Sequence, residues 1–213
     1  MFISKKEKFI FVHIPKTAGT SIKSALEKQF VNDAEKLVRP EMRSEVYSRL
    51  MSKMAPVPPH LSLADSEKLF DIDITKYRVV ISVRNPWERL VSLFKYVTEV
   101  NTSHCLTDAA KEHGISRTIE HLVKDEESLI ERFPQHAFYQ TPVKDIETYF
   151  LRTEYLENDT NLLKRQTGIE IGLLGHLNKS SDQPISLRTD IKHLIAYHEF
   201  PTIEKFSYSY SDI

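Results

Sequence analysis

The most chemically suggestive stretch of the chain is a short loop that combines hydroxyl groups, a glycine and a lysine. Residues 15–21 read Pro-Lys-Thr-Ala-Gly-Thr-Ser. Hydroxyl and backbone N–H groups donate hydrogen bonds, a lysine adds a mobile positive charge, and a glycine lets the backbone approach a ligand closely. These groups favour an anion, above all a phosphate, and the candidate residues are Lys16, Thr17, Gly19, Thr20 and Ser21.

The elements on either side of this loop must hold it in place. Phe9 to Ile14 is an almost continuous apolar and β-branched run, which predicts a strand buried on both faces. From Ala18 to Phe30 apolar residues recur at helical intervals. A strand that leads into a helix directs N–H groups and the positive end of the helix dipole at one point, where phosphate is favoured. The alternative is an ordinary connection with a threonine N-cap, and the kinase pattern G-x-x-x-x-G-K-[ST] is not present.

A second strand and helix follow the same plan later in the chain. Tyr77 to Val83 is again a nearly continuous β-branched run, which predicts a central parallel strand, and Pro86 suits the first turn of a helix. Arg84 would then lie at the carboxyl end of the strand, where open parallel sheets bind ligands, with Ser92 on the helix. A guanidinium presents a planar fork to phosphate. The alternatives are a structural salt bridge for Arg84 and a helix contact for Ser92.

A histidine lies between these two motifs, directly after a rigid proline segment. Residues 56–59 read Pro-Val-Pro-Pro, which ends the helix predicted for 41–54 and forces an extended chain. His60 comes next, and a side chain fixed there is well placed to face a cleft. It could equally cap the helix predicted for 62–69 or simply be exposed.

The later part of the chain predicts further alternating elements. A strand is expected at 146–151 and a helix at 156–168, with a glycine just past its end. A late amphipathic helix is expected at 188–197, and 206–210 alternates in a way that suggests packing on the sheet. The charged segment 101–133 reads as irregular and is a candidate lid over an acceptor.

Composition limits the classes of protein that remain. At 213 residues the chain predicts a single domain, 1–213, and its formal net charge of −1 gives no overall basic surface for nucleic acid. The sequence lacks a signal-peptide core and an apolar stretch of membrane-spanning length. Its single cysteine, Cys105, excludes an internal disulfide framework and fits a reducing compartment. We therefore expect a soluble cytoplasmic protein, and no residues show metal-ligand spacing.

Together these segments resemble the sulfotransferases. The loop 15–21 looks like their 5′-phosphosulfate loop, and 84–92 looks like their 3′-phosphate motif, with an arginine followed by a serine on the next helix. Two later segments agree, 151–159 with an Arg-x-Glu-x-Leu…Asp pattern and 176–180 with a His-Leu-Asn-x-Ser loop. The particular forms of these motifs in this sequence are similar to those of the family-2 group, which includes uronyl 2-O- and chondroitin/dermatan-type carbohydrate sulfotransferases and bacterial relatives.

The resemblance implies a fold and a donor. The fold would be like that of the P-loop nucleotide kinases, a central parallel sheet with helices on both faces. The donor would be 3′-phosphoadenosine 5′-phosphosulfate (PAPS), whose two separate phosphate groups match the two separate anion motifs. The implied donor-binding residues are Lys16, Thr17, Gly19, Thr20 and Ser21 for the 5′-phosphosulfate, Arg84 and Ser92 for the 3′-phosphate, and Lys179 in a later closing loop.

The chemistry of sulfuryl transfer suggests roles for two residues. By analogy with phosphoryl transfer, the group moves in line between two oxygens, and Lys16 would neutralise the charge on the leaving phosphate. The acceptor hydroxyl needs a general base. His60 is the first candidate, since relatives place a catalytic histidine between the two motifs. His13 is the runner-up, although its apolar strand suggests a packed role, and His104 and His113 are weaker. No metal is required.

The acceptor is less determined than the donor. Relatives sulfate hydroxyls of glycans, so a carbohydrate is the default, but the net charge of −1 gives no support for a basic groove that binds polyanionic glycans. Small metabolites, lipids and a glycan terminus stay open, and so does the oligomeric state. A nucleotide or small-molecule kinase and a non-catalytic nucleotide-binding protein are the alternative functions. No nucleic-acid partner and no membrane span are expected.

Overall fold

A computed structural model of the chain describes most of the sequence. The described residues are 1–30, 34–35, 60–70, 72–102, 106–124, 134–172, 181 and 183–210. Several features named above lie outside these ranges: the helix predicted at 41–54, the proline segment 56–59, His104, Cys105 and the whole loop 176–180 with Lys179.

Short strands alternate with helices along the chain. The strands are β1 (Phe2–Ser4), β2 (Phe9–Val12), β3 (Ala34–Glu35), β4 (Arg78–Val83) and β5 (Thr148–Arg152). The helices are α1 (Gly19–Gln29), α2 (Leu63–Phe70), α3 (Pro86–Lys95), α4 (Thr107–Lys124), α5 (His136–Tyr139), α6 (Leu156–Thr167), α7 (Thr189–His198) and α8 (Phe200–Phe206). Short 3₁₀ turns cover Ile74–Lys76 and Thr153–Tyr155, and a π-helix, Tyr96–Val100, extends α3.

The described strands form one sheet with a parallel centre. Their order is β3-β1-β2-β4-β5. β2 pairs with β4 and β4 pairs with β5 in parallel, whereas β1 is antiparallel to both β2 and β3. Val12 lies opposite Ile81, and Val83 lies opposite Arg152. The parallel strands therefore end at a common edge of the sheet. In the chain, β2 is followed by the loop 15–21 and β4 by the segment 84–92.

The chain forms two compact units, each made of two separate segments of the sequence. The first comprises Met1–Val83 and Ala137–Gly175, and the second comprises Arg84–His136 and His176–Ile213. The first unit contains the sheet with α1, α2 and α6, and the second contains α3, α4, α7 and α8. The expectation of a single domain stays a prediction.

The core of the first unit forms around the sheet. All four residues of β2 are fully buried, as expected for a continuous apolar strand covered on both faces. On one face, Ile22 and Leu26 of α1 and Leu163 of α6 pack with residues of the strands in a single apolar cluster. The four-residue spacing of Ile22 and Leu26 places both on the same side of the helix, so burial of that side docks α1 on the sheet.

The core of the second unit is helical. Its buried residues are Trp87, Leu90, Leu93, Val97, Leu106, Ala110, Ile119, Leu122, Leu187, Ile191, Ile195 and Tyr208. The apolar positions of α3, α4 and α7 recur at helical spacing, and burial of these faces against one another stabilises the unit.

Two expectations for this unit are wrong. The segment 101–133, expected to be irregular, contains the 18-residue helix α4, with a kink at Gly114 where φ is 72°. The residues at 206–210 do not alternate as a strand, because Phe206 ends α8. Tyr208 and Tyr210 instead pack in the helical core, where the ring of Tyr210 lies 5.9 Å from that of Trp87. In both cases burial of apolar side chains at helical spacing outweighs the local charge or alternation.

The α/β fold with a central parallel sheet and flanking helices is confirmed, and most element bounds fall within two residues of those predicted. None of the helices within the described ranges is both long and apolar enough to cross a membrane.

Candidate active site

The loop after β2 turns into α1 through an unusual backbone. Lys16 and Ala18 both have positive φ, at 66° and 59°. Ala18 is the N-cap of α1, and neither a side-chain cap nor an acidic residue in the first turn satisfies the helix N-terminus. Most α-helices carry a capping oxygen at this position. Left-handed residues next to such a helix start direct N–H groups to one side, an arrangement suited to an anion.

Thr17 anchors the loop from inside. The residue is fully buried, and its hydroxyl donates to the carbonyl of Ile14 at 2.8 Å. The same oxygen lies 2.6 Å from Oγ of Ser82 in β4, which is also fully buried. Because the single hydroxyl proton of Thr17 goes to Ile14, Ser82 must be the donor in this second bond. The Thr17 hydroxyl is therefore engaged in shaping the loop, and a phosphate contact from Thr17 would fall to its backbone N–H.

Gly19 is required for a reason other than a positive φ. A Cβ atom built on this residue would lie only 1.9 Å from Cδ2 and 2.4 Å from Nε2 of His13. Any side chain at this position would overlap the imidazole ring. The first residue of α1 therefore packs directly against the His13 ring, and this contact fixes the two ends of the loop close together. Thr20 and Ser21, the next two residues of α1, are more exposed.

His13 is a packed histidine, as its apolar strand suggested. It is 7% exposed, and its Nδ1 has no hydrogen-bond partner among the described residues. Burial lowers the pKa of His13 well below its ordinary value, and His60 when protonated, the amino terminus, Lys23 and Lys16 act in the same direction. The ring is therefore neutral at physiological pH and does not add positive charge to the loop.

His60 lies directly beside the loop. Its Nδ1 is 2.9 Å from the backbone oxygen of His13, and the two rings are 4.4 Å apart in an edge-on arrangement. A carbonyl oxygen only accepts, so Nδ1 must carry the proton, and in the neutral ring the lone pair is then on Nε2. The structure thus gives His60 the tautomer that a base acting through Nε2 requires.

The helix that follows His60 is capped by another residue. The Ser62 hydroxyl accepts from the N–H of Asp65 at 3.1 Å and donates to the Asp65 carboxylate at 2.7 Å. The bond from the Asp65 N–H to the Ser62 hydroxyl is the one that an N-cap serine makes. The alternative in which His60 caps this helix is therefore wrong.

Arg84, in the second unit, directly follows β4 and precedes the N-cap of α3. Its Nε and Nη2 donate to one carboxylate oxygen of Glu88, at 3.1 and 2.8 Å. Both side chains are partly exposed. The structural salt bridge considered as an alternative for Arg84 is thus present. It takes two of the five guanidinium N–H groups, so it orients the fork without using all of its donors.

The start of α3 is fixed by Asn85. Its side-chain oxygen accepts from the N–H of Trp87 at 3.2 Å, and its side-chain nitrogen donates to the carbonyl of Ser209 at 2.9 Å. Pro86 occupies the first helical turn, as predicted. Ser92 lies on the same helix and is partly exposed, one turn beyond Glu88 and two beyond Arg84. Glu88 and Ser92 therefore lie on one side of the helix, and the hydrogen bonds to Glu88 hold the Arg84 guanidinium near that side.

A buried polar network surrounds the main chain of Arg84. The amide side chain of Gln135 accepts from the N–H of Arg84 at 3.0 Å and donates to its carbonyl at 2.8 Å. The N–H of Gln135 in turn donates to both carboxylate oxygens of Glu199, each at 3.1 Å. Glu199 pairs with Arg89 of α3, with 3.5 Å between Nη1 and Oε1.

Ser181 marks the end of the segment that contains Lys179. Its N–H and hydroxyl both donate to the carboxylate of Glu99, each at 2.8 Å, and its carbonyl accepts from Lys95 at 2.8 Å. These bonds hold the chain after residue 180 against the end of α3 and the π-helix. The role predicted for Lys179 lies outside the described residues and stays a prediction.

The segment 151–159 is held by an ion pair across the end of β5. The Arg152 guanidinium binds the Asp159 carboxylate through two hydrogen bonds, at 2.8 and 2.9 Å, and the backbone N–H of Arg152 donates to the same carboxylate. Thr153 donates to the carbonyl of Val83 at the end of β4. The bonds fasten the end of β5 to the start of α6, which fits a structural role.

Sequence reasoning missed four residues that shape these motifs. They are Ser82, Arg89, Gln135 and Glu199. Ser82 and Arg89 offered a signal, since a serine near the end of a buried strand and an arginine within an apolar helix face both need partners. Gln135 and Glu199 offered none, because their partners are distant in sequence. Within the described ranges, no group of three or more His, Cys, Asp or Glu residues is arranged to hold a metal ion.

Comparison with known proteins identifies the family. A model of the sulfotransferase family matches residues 1–186, a span that includes the loop 15–21, His60 and the segment 84–92. No curated protein and no solved structure gave a significant match. The matched region covers most of the 213 residues and contains every motif that carried the resemblance. The chain therefore belongs to the sulfotransferase family and is, as a member of it, a sulfotransferase.

Proposed function

We propose that this enzyme transfers a sulfuryl group from PAPS to a hydroxyl group of a carbohydrate or small-molecule acceptor. One observation carries the proposal: an uncapped, acid-free helix start with a lysine inside its loop lies beside a histidine held in the tautomer of a base. The helix start and Lys16 suit the anionic donor, and His60 suits the acceptor hydroxyl. A site that only bound a phosphate would have no use for the base.

The donor is proposed from the separation of the anion-binding groups along the chain. In this proposal the loop binds the 5′-phosphosulfate through its N–H groups, Lys16 and the hydroxyls of Thr20 and Ser21. Arg84 and Ser92 bind the 3′-phosphate, and Lys179 closes over the nucleotide. PAPS carries both a 5′ and a 3′ anionic group, whereas 5′-AMP lacks the second. A donor with two phosphates accounts for two motifs at the ends of two neighbouring strands.

Lys16 is proposed to act on the leaving group. As the sulfur–oxygen bond to the 5′-phosphate breaks, negative charge builds on the bridging oxygen. A positive charge placed there stabilises the transition state more than the bound donor, so its main effect is on the rate. The positive φ of Lys16 supports this role, because a strained backbone at a lysine is maintained only where the surrounding structure enforces it.

His60 is proposed to take the acceptor proton. The hydrogen bond from Nδ1 to the His13 carbonyl holds the imidazole in one orientation and leaves the lone pair of the neutral ring on Nε2. The neutral state of His13 supports the role as well. A second imidazolium at 4.4 Å would disfavour protonation of His60 during the reaction.

The acceptor and compartment are proposed on more general grounds. Any acceptor must offer a hydroxyl, and we propose a carbohydrate because of the family-2 resemblance. The net charge of −1 favours a neutral or weakly charged acceptor over a highly sulfated polymer. The single cysteine fits a reducing compartment such as the cytoplasm.

The test is a calorimetric titration with the product nucleotide, 3′-phosphoadenosine 5′-phosphate (PAP). ATP and 5′-AMP serve as controls. Micromolar binding of PAP with much weaker binding of 5′-AMP is the expected result, followed by transfer from labelled PAPS to members of an acceptor panel. Equal binding of PAP and ATP, with Mg²⁺-dependent turnover of ATP, would instead favour a kinase. Binding of PAP without transfer to any hydroxyl acceptor would favour a non-catalytic nucleotide-binding protein.

A further inference from the structure

The second unit buries an ion pair that the proposed reaction does not use. Glu199 is 0% exposed and Arg89 is 1% exposed, and the pair is separated by 3.5 Å. Removing two charges from water is costly, and the attraction between them offsets that cost only when further hydrogen bonds satisfy the remaining lone pairs and protons. The position of the pair therefore calls for an explanation beyond stability alone.

The hydrogen bonds of Glu199 lead away from the ion pair towards Gln135. Both carboxylate oxygens accept from the N–H of Gln135, which is itself fully buried. Burial raises the pKa of Glu199, while Arg89 and the N–H of Gln135 favour the ionised form. The carboxylate thus serves as a fixed acceptor for the main chain at residue 135.

The side chain of Gln135, whose main chain is held by Glu199, in turn holds the main chain of Arg84. Its side chain bonds both the N–H and the carbonyl of Arg84, at 3.0 and 2.8 Å, so one amide holds the peptide groups on both sides of the Arg84 Cα. This stretch lies between the last residue of β4 and the N-cap of α3, beyond the reach of the strand ladder and of the helix. Fixing both peptide groups fixes the direction of the Cα–Cβ bond, from which the guanidinium fork extends.

We propose that Gln135, supported by Glu199 and Arg89, is a positioning residue that sets the preference of Arg84 for a nucleotide bearing a 3′-phosphate. A planar fork binds a phosphate only within a narrow range of orientations, and a fork already oriented loses less freedom on binding. The pair Arg89–Glu199 also ties α3, which carries Ser92, to the same network. The inference rests on the proposed function, since it assigns the 3′-phosphate to Arg84.

A merely structural role would have a different signature. If the network only stabilised the second unit, its loss would lower the melting temperature and leave the discrimination between nucleotides unchanged. If the network positions Arg84, its loss weakens binding of PAP and leaves 5′-AMP, which has no 3′-phosphate, unaffected. The ratio of the two dissociation constants separates the two roles.

The experiment uses the full chain with the substitution Gln135→Met, which keeps the length of the side chain and removes both hydrogen bonds to Arg84. The exposed Gln140 offers a matched control, Gln140→Met. Calorimetry with PAP and with 5′-AMP should show a loss of about tenfold in PAP binding for Gln135→Met, the usual size for misplaced polar contacts. Binding of 5′-AMP should stay unchanged, and Gln140→Met should behave as the unmodified protein does.

Combination with Arg84→Ala makes the test independent of folding losses. In the Arg84→Ala background, Gln135→Met should have no further effect on the PAP to 5′-AMP ratio, because the fork that it positions is gone. If Gln135→Met does not fold, Gln135→Leu replaces it, since leucine is also neutral and makes neither hydrogen bond to Arg84. The ratio should fall for this variant as well.

The possible failures are distinguishable. An unchanged ratio in a folded Gln135 variant, even one of lower stability, would overturn the inference and leave the proposed function standing. An equal loss in the presence and absence of Arg84 would also overturn it. If the unmodified protein itself binds PAP and 5′-AMP equally well, the proposed function fails, whatever the variants do.

Discussion

The loop 15–21 of the first unit and the segment 84–92 of the second are both candidates for anion binding, but different forces hold them in place. The loop is closed largely by sterics and short-range bonds: the His13 ring against Gly19, and Thr17 bonded to Ile14. The segment 84–92 depends on buried polar partners that are remote in sequence, Gln135 and Glu199.

The difference suggests a division of roles. A loop closed by local packing keeps its backbone N–H groups directed at the ligand, which suits contacts to the group that reacts. A fork held by distant buried groups is sensitive to the packing of its whole unit, which suits recognition of a nonreacting part of the donor. Substitutions in the two regions should therefore separate effects on rate from effects on binding and on stability.

The largest effect is expected from breaking the buried ion pair of the second unit. Arg89→Met should lower the free energy of unfolding by about 3–5 kcal/mol, because Glu199 is left as an uncompensated buried charge. Without Arg89 the pKa of Glu199 rises further, so the carboxyl binds a proton more readily in the folded state and the deficit should shrink as pH falls. Chemical denaturation at about pH 8 and about pH 5 measures both effects.

The control for this substitution is Arg117→Met, because Arg117 forms an exposed ion pair with Glu120. Pairs of that kind contribute little to stability. An equal, small effect of the two substitutions would contradict the contrast drawn between the two regions.

The next largest effect concerns the rate of reaction. Lys16→Ala should lower kcat by about 10²–10³-fold while the Kd for PAP changes much less, because the lysine contact strengthens as the phosphate leaves. Single-turnover transfer from PAPS and calorimetry with PAP provide the two measurements. Lys23→Ala on α1 is the matched control, since Lys23 pairs with Glu27 and has no proposed contact with the donor. Turnover unchanged in Lys16→Ala would remove Lys16 from the mechanism.

A steric change should open the loop. Gly19→Ala forces the helix start and the His13 ring apart, and we expect a loss of about 1–3 kcal/mol in stability, typical of overpacking. The double variant with His13→Ala removes the obstruction, so it should recover stability relative to Gly19→Ala alone. Thermal unfolding of the two single variants and the double variant completes the cycle. Additive losses would show that the ring contact does not determine the residue at position 19.

The buried histidine should leave a signature in the pH dependence of stability. Burial lowers the pKa of His13 in the folded state, so the unfolded chain binds an additional proton as pH falls below the ordinary value of 6.5. Stability should therefore fall by about 1.4 kcal/mol per pH unit below that value through this residue alone. His13→Phe should remove this component, so the stability of the variant relative to the unmodified protein should rise as pH falls from about 7 to about 5. A constant difference in the free energy of unfolding between the two proteins from about pH 7 to about pH 5 would contradict a lowered pKa of His13.

The smallest effect is expected at the bond between the loop and β4. Ser82→Ala removes the hydroxyl that donates to Thr17 and should cost about 1 kcal/mol, as for a typical buried hydrogen bond. PAP binding should weaken only slightly, because Thr17 keeps its bond to Ile14. Ser66→Ala on α2 is the control, since Ser66 is equally buried and its hydroxyl donates to the carbonyl of Leu63 within the same helix. A larger effect on PAP binding than on stability would indicate that Ser82 acts through the loop geometry.

Features with short-range causes were predictable. The continuous apolar runs of β2 and β4 predicted buried parallel strands, the proline at position 86 predicted the start of α3, and Gly168 predicted the end of α6. His13 was expected to be packed, and it is. Each of these depends on residues within a few positions of one another, so the local pattern carries the information.

Features with long-range causes were not predictable. A glutamine at 135 and a glutamate at 199 are ordinary surface residues by type, and only the folded second unit reveals them as the partners of Arg84 and Arg89. The helix at 107–124 was missed for a related reason. Its many charged residues hide the helical spacing of its apolar residues in the sequence. Those apolar residues are buried against other helices, and this packing stabilises the helix.

The sequence by itself determined the class of fold, the two anion-binding motifs and the family, because these depend on residue types in a short, ordered pattern. Only the tertiary structure decided that the His60 ring lies beside the loop in a single tautomer and that Gly19 makes room for His13. It also decided which buried polar groups hold Arg84. The contacts of His60 and of Arg84 join segments that are far apart in the chain, and folding brings those segments together through burial and hydrogen bonding. The contact of Gly19 with His13 is close in sequence, but it depends on how the loop between the two residues is folded.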